Sequence, residues 1–192
     1  MARDHNEMRA IIVDAAREVF SRFGYKKATL DDIASSLYKA KSSIYYYFKS
    51  KEDVFRAVLE YESIRAKKIV FDAVENEKTP EAKLRIHFKT INDFIMETTS
   101  YYKLMHEEML AVLSFSDEVK CKHIDEATRK ISSILREGIA SGVFAMDDPD
   151  KVAQTLQFAF DGLFSPWYKD MNEVDDNFEP LMDIIFNGIK TR

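Results

Sequence analysis

The sequence predicts an all-α protein in which a small N-terminal helix-turn-helix domain of three helices precedes a larger helical body. Three observations carry this reading. Among 192 residues there are only 5 glycines and 4 prolines, which favours long helices joined by short turns. No stretch alternates strongly between apolar and polar residues, as a half-buried strand would. Apolar residues recur instead at intervals of about three and four along most of the chain. With 46% hydrophobic and 32% charged residues, the chain is long enough to bury a real core.

The elements follow in order. Ile12, Ala15, Ala16, Val19, Phe20 and Phe23 share one face of a first helix of about five turns, and Gly24 stands where a helix stop is expected. Thr29 takes the N-cap position of a short second helix, Leu30 to Leu37, with Asp31 and Asp32 in its first turn where the helix dipole favours acids. Its inner side carries Leu30, Ile33, Ala34 and Leu37. A further short helix lies in KSSIYYYF, residues 41–48, and a long helix then begins with a capping-box-like pair, Ser50 and Asp53. Two short helices separated by a turn of about three or four residues make a helix-turn-helix.

The tyrosine run within this segment cannot be wholly internal. Helical neighbours lie about 100° apart, so Tyr45, Tyr46 and Tyr47 cannot share one buried face. Ile44 and Phe48 are four residues apart and anchor the helix against Ile33, Leu37 and Phe20, and Tyr47 shares part of that face. Tyr45 and Tyr46 point outward with Lys41, Ser42 and Ser43, while Lys41, Lys49 and Lys51 flank the same surface. Hydroxyls and ammonium groups of this kind hydrogen-bond phosphates and base edges. The charge distribution agrees. The whole chain carries −5, yet residues 1 to 51 hold ten Lys/Arg against six Asp/Glu, so a cationic module of +4 precedes a body of −9.

The body from residue 52 onward reads as a series of helices. One starts after Thr79-Pro80 and presents Leu84, Phe88, Ile91 and Ile95, and YYKLMHEEMLAVLSF is apolar on most sides. DEVKCKHIDEATRKISSILREGIASGVF is a long amphipathic helix fading at Gly138 and Gly142. After a turn at Asp147 to Pro149 comes a helix ending near Pro166, and Phe178, Leu181, Met182, Ile185, Phe186 and Ile189 form a last apolar stripe. That stripe, together with Leu156, Phe160, Leu163 and Phe164 on the preceding helix, either covers the core or forms an interface with a second copy, and the interface is favoured. Polar residues within the apolar helices mark candidates for a small-molecule pocket. They are His87, Asn92, His106, Glu107, Gln154, Gln157, Asp161 and Trp167, set among Phe88, Phe94, Met105, Met109, Phe158 and Phe164.

Other chemistries find little support. HEEML at His106 has Leu110 where a zinc-protease helix needs its second histidine, and Cys121 with His123 is too small a set for a structural zinc site. There is no phosphate-binding glycine loop and no nucleophile elbow, so neither an enzyme nor a cofactor or metal is expected. The lone Cys121 excludes an intrachain disulfide. No apolar stretch approaches the roughly 18 residues of a membrane span, and MARDHNEMRA has no signal-peptide pattern, so the cytoplasm is the expected location.

TLDDIASSLYKAKSSIYYYFKSKEDVFRAVL, Thr29 to Leu59, resembles the DNA-binding signature of the TetR family of bacterial transcriptional regulators. The resemblance rests on the Thr cap, the Ile-Ala pair, the Ile-Tyr-Tyr-Tyr-Phe run and the Ser-Lys-Glu helix start. It implies a helix-turn-helix DNA-binding domain over residues 1–51 and an effector-binding and dimerisation domain over 52–192. Thr29 and Lys51 would then bind phosphate, Tyr46 and Tyr47 would contact the DNA backbone, and Lys41, Ser42, Ser43 and Tyr45 would approach bases, with Lys39 counted among them. The implied partners are a palindromic double-stranded operator, an apolar or amphipathic effector that releases the repressor, and a second copy of the chain. The competing possibility is a helical adaptor or ligand-binding protein whose helix-turn-helix pairs with protein and not with DNA. Three residues depart from the family pattern. Tyr38 replaces the usual turn glycine and Lys39 a small apolar residue, so the turn must form without glycine's freedom at positive φ, and Ser42 replaces a common glycine at the start of the recognition helix.

Overall fold

The computed structural model describes residues 2–101, 117–163 and 171–190, and within them every regular element is a helix. These are α1 (Ala2–Lys27), α2 (Leu30–Ser36), α3 (Lys41–Tyr45), α4 (Lys51–Glu75), α5 (Pro80–Tyr101), α6 (Asp117–Ala140), α7 (Pro149–Leu163) and α8 (Met171–Ile189). The chain divides into two compact units, Met1–Lys67 with Glu97–Met109, and Lys68–Met96 with Leu110–Arg192. Among the described residues no helix is long and apolar enough to cross a membrane.

In the first unit, Gly24 interrupts α1 at φ 72° and ψ 161°, a conformation outside the helical range that glycine adopts without a Cβ clash. The break turns Tyr25 inward. Its ring packs against Phe20 and Phe55 at centroid distances of 5.9 and 4.6 Å, and Phe20 meets Phe55 edge-on at 5.6 Å. Ile12, Ala16, Phe20, Ile33, Ile44, Val54 and Phe55 are inaccessible to solvent and form the centre of this unit. The expected anchors Ile44 and Phe48 are thus buried, and Leu37 is half-buried just past the end of α2. Thr29 caps α2 through a reciprocal pair: its Oγ1 accepts from Asp32 N at 3.2 Å while its own N–H donates to Asp32 Oδ2 at 2.8 Å. At the start of α4, Asp53 N donates to Ser50 Oγ at 3.1 Å.

A buried carboxylate ties the helices of this unit together. Glu62 on α4 is 4% exposed and accepts from Arg17 Nε of α1 at 2.7 Å and from Arg65 at 3.3 Å, while Arg65 also donates to Glu97 of α5 at 2.9 Å.

The second unit closes around Leu84 and Phe88 of α5, Ile131 and Leu135 of α6, Leu156 and Phe160 of α7, and Phe178, Met182, Ile185 and Phe186 of α8. Phe88 lies flat on Phe160, with ring centroids 3.8 Å apart and planes within 8°. Past the end of α6 the chain turns back so closely that a Cβ on Gly138 would stand 2.0 Å from the Phe144 ring, which only glycine permits. Phe144 then pairs with Lys190, and Ala145 N donates to Ile189 O at 2.9 Å.

Two expectations about the body require correction. Leu156, Phe160, Phe178, Met182 and Ile185 are all less than 9% exposed, and Leu181 and Ile189 pack against the same cluster, so the expected dimer stripe covers the protein's own core. A regular apolar stripe serves either purpose, and the neighbouring helices took it. Among the described residues, the large apolar side chains that α7 and α8 leave in solvent are Phe158, 73% exposed, and Ile184, 70% exposed. Phe158 is therefore a surface residue and not the pocket wall expected of it. Leu163, Phe164 and the YYKLMHEEMLAVLSF segment lie outside the residues whose side chains are described.

Candidate nucleic-acid interface

The surface around α3 is built by three segments. The helix is short and follows Ala40, which stands at the N-cap and supplies no side-chain cap. Ile44 and Phe48 hold it down, leaving Lys39, Ser42, Tyr45 and Tyr46 exposed and Ser43 and Tyr47 half-buried. Lys39, Ser42, Ser43, Tyr46 and Tyr47 line a polar notch of about 320 Å³, completed by Met8 from α1. A cationic, hydroxyl-lined recess suits a phosphate oxygen or a base edge. The neighbouring groove between α1 and α2, about 440 Å³, carries Asp14 and Glu18 on its rim and suits no polyanion.

Lys41 lies beside the notch and donates to Asp31 Oδ2 at 2.6 Å, an exposed pair that raises the lysine pKa above its ordinary value. Exposed pairs of this kind exchange partners readily, so Lys41 stays available to an incoming phosphate. Thr29 is more committed. Its hydroxyl donates to Asp32 Oδ2 at 2.6 Å, and these bonds hold the Asp32 carboxyl below the usual carboxylate range.

Lys51 departs from its expected part as a phosphate clamp. Its ammonium donates to the carbonyls of Tyr25 at 2.7 Å, Ala28 at 3.0 Å and Lys26 at 3.4 Å, and sits 4.4 Å from the centre of the Tyr25 ring. These carbonyls lie in the last turn of α1 and just beyond it, where no further helical N–H groups follow, and the three donors of one ammonium are directed at them. Lys51 therefore fastens the end of α1 to the start of α4.

His5 and Arg9 of α1 brace the tyrosine run in a way that sequence periodicity did not reveal. The His5 ring packs against Tyr47 at 4.8 Å and Tyr46 at 5.7 Å, and these two tyrosines meet edge-on at 4.9 Å. Arg9 donates to the carbonyl of Tyr47 at 2.7 Å and lies over the Phe48 ring at 4.1 Å. Their spacing of four residues places both on one side of α1, but their partners are some forty residues away in sequence.

In the second unit, the expected effector residues separate. His87 is 2% exposed, and neither ring nitrogen has a hydrogen-bond partner. Its nearest ring neighbour is Phe88, edge-on at 5.1 Å, and burial, with Lys130 adding a like charge, lowers its pKa to about 4. Asn92 and Phe94 are also buried, and Phe88 belongs to the core stack. Met105, His106, Met109 and Trp167, with the Asp161 side chain, lie outside the described residues.

Comparison with known proteins agrees with this arrangement. Residues 12–58 match the family model of bacterial regulatory proteins of the tetR family, and residues 80–184 match that of the tetracyclin repressor-like C-terminal domain. The HTH-type transcriptional regulator QacR of Staphylococcus aureus is 25% identical over 191 residues, covering 93% of this chain and 96% of that protein. The biofilm operon negative transcriptional regulator IcaR of Staphylococcus epidermidis is 42% identical over 53 residues, 28% of this chain and 29% of its own. Among solved structures, a TetR-family transcriptional regulator from Pectobacterium atrosepticum superposes with a TM-score of 0.84 at 18% identity, covering 100% of this chain and 98% of that one. One family model spans the helix-turn-helix, the other spans more than half of the chain, and the reading as an adaptor is not favoured. The chain belongs to the TetR family of bacterial transcriptional regulators.

Proposed function

We propose that the protein is a dimeric repressor that reads a palindromic operator and leaves it on binding an apolar or amphipathic small molecule. Residues 1–51 are the DNA-reading part and 52–192 the effector-binding and dimerisation part. The observation that carries the DNA-reading assignment is the notch, where Lys39, Ser42, Ser43 and Tyr46 converge beside Lys41 and Tyr45 on a solvent-facing side. Thr29 and Lys51 support it from within, by fixing α2 and the joint of α1 with α4. The direction of regulation follows IcaR, a negative transcriptional regulator to which the chain is 42% identical over 53 residues.

Dimerisation is assigned to the faces of α7 and α8 that carry Phe158 and Ile184, since two recognition helices must be presented symmetrically to a palindrome. His87 is assigned as the polar anchor for the effector. A neutral imidazole offers one donor and one acceptor, and leaving both unmade in an apolar interior is costly unless a ligand uses them.

The test is a gel shift on an operator selected from random duplexes. Two chains are expected per site, with release by amphipathic compounds that carry a hydrogen-bonding group. His87→Leu should keep operator affinity and lose release. Release of that variant at unchanged ligand concentration refutes the anchor, and one chain per site refutes the dimer.

A further inference from the structure

Tyr38, in the turn between α2 and α3, stands out from the other aromatic residues of the protein. Its φ is 55°, the one positive φ recorded for a non-glycine residue among the described residues, and its side chain is 100% exposed. Its N–H donates to Ser35 O at 3.0 Å and that of Lys39 to Ala34 O at 2.9 Å, so the turn is closed by main-chain bonds and makes no use of the phenol. The left-handed conformation is unfavourable for a bulky side chain, and this ring buries nothing in return. Strain that folding does not compensate points to a partner outside the monomer.

The surroundings indicate which partner. Lys39, the next residue, lines the polar notch, and exposed Lys41 lies three positions on. We propose that Tyr38 is a further DNA-contact residue, whose phenolic hydroxyl donates to a phosphate oxygen of the sugar-phosphate backbone next to the notch. This rests on the reading of the notch as the DNA-facing surface. The contact is neutral and directed at the backbone. It adds affinity for every sequence and displaces no additional counterion, whereas a lysine contact would steepen the salt dependence.

The experiment measures fluorescence anisotropy of the full-length protein on a labelled operator selected from random duplexes and on an unrelated duplex, across a salt series. Tyr38→Phe keeps the ring and the backbone, and is expected to weaken binding to both duplexes by about threefold to tenfold, the usual range for one lost hydrogen bond. Its salt slope should equal that of the wild type. Tyr38→Gly should weaken binding at least as much while melting no lower than the wild type, since glycine accepts the positive φ. Wild-type affinity in both variants overturns the proposal and leaves the DNA reading standing. Failure of the wild type to bind any duplex removes both. A changed salt slope in Tyr38→Phe also overturns it, because the hydroxyl carries no charge.

Discussion

Replacing His87 with leucine tests whether this buried imidazole is held neutral at a cost. Its pKa falls from an ordinary 6.5 to about 4 in the folded protein, chiefly through burial and secondarily through Lys130. The unfolded chain therefore binds the proton more readily than the folded one. Stability is unaffected above pH 6.5, declines as the pH falls below it, and has lost the full contribution below about pH 4. A separation of about 2.5 pH units corresponds to about 3 kcal/mol in the acid limit, of which about 2 kcal/mol falls between pH 7 and pH 5. The assay is urea denaturation followed by circular dichroism at pH 7, 6 and 5, for the wild type and His87→Leu in parallel. Carboxylates contribute to both proteins alike and cancel in the difference. The variant should lose about 2 kcal/mol less than the wild type on going to pH 5. Parallel pH profiles would refute the reasoning, and would mean that the ring reaches water or a partner when protonated.

Other substitutions separate packing from recognition. Lys51→Met should destabilise the first unit by about 2 kcal/mol through the carbonyls left without a donor, with the salt slope of DNA binding unchanged; a slope reduced by about one per half-site would restore the phosphate clamp. Phe158→Glu and Ile184→Glu should sediment as helical monomers, whereas Ile185→Glu should unfold the second unit and show a loss of ellipticity, because Ile185 is 8% exposed within the core. Gly138→Ala should cost about 1–3 kcal/mol in denaturant midpoint analysis, since its methyl would overlap the Phe144 ring.

Periodicity and caps made the helices legible. Thr29, Gly24, Ser50 and the pair Ile44 and Phe48 each act locally, through a cap, a break or a face, and these effects are decided by residues within about four positions. The outward direction of Tyr45 and Tyr46 followed from the same geometry. Lys51 was misjudged for a complementary reason. Its position at the start of a helix is consistent with holding phosphate, but the carbonyls that claim it lie at the end of α1, more than twenty residues away in sequence. The α8 stripe shows the same limit. An apolar face states that something covers it, and only the packing of α5, α6 and α7 decides whether that cover is the same chain or another. His5 and Arg9 acquire their function from contacts across the fold, to which local pattern is blind.

Opposite responses to mutation separate the groups that folding satisfies from those it leaves open. Glu62 is buried but accepts from both Arg17 and Arg65, and Arg65 is also held by Glu97. Removing it takes from Arg17 and Arg65 their shared buried partner and leaves them Asp14 and Glu97, so Glu62→Ala should destabilise the protein by about 3 kcal/mol, toward the low end for broken buried pairs because those partners remain and Arg65 keeps a third of its side chain in water. Tyr38 and His87 should respond with the other sign. Glycine at position 38 relieves a positive φ, and leucine at position 87 removes two unpaired ring nitrogens from an apolar setting, each a change that folding alone would favour. A protein selected for stability alone would retain neither residue, as expected if one serves DNA and the other a ligand. Thermal melts of the three variants at pH 7 decide the matter. Destabilisation by Tyr38→Gly or His87→Leu on the scale of Glu62→Ala would show that these side chains serve the fold, and the argument from unsatisfied chemistry to function would fail at that position.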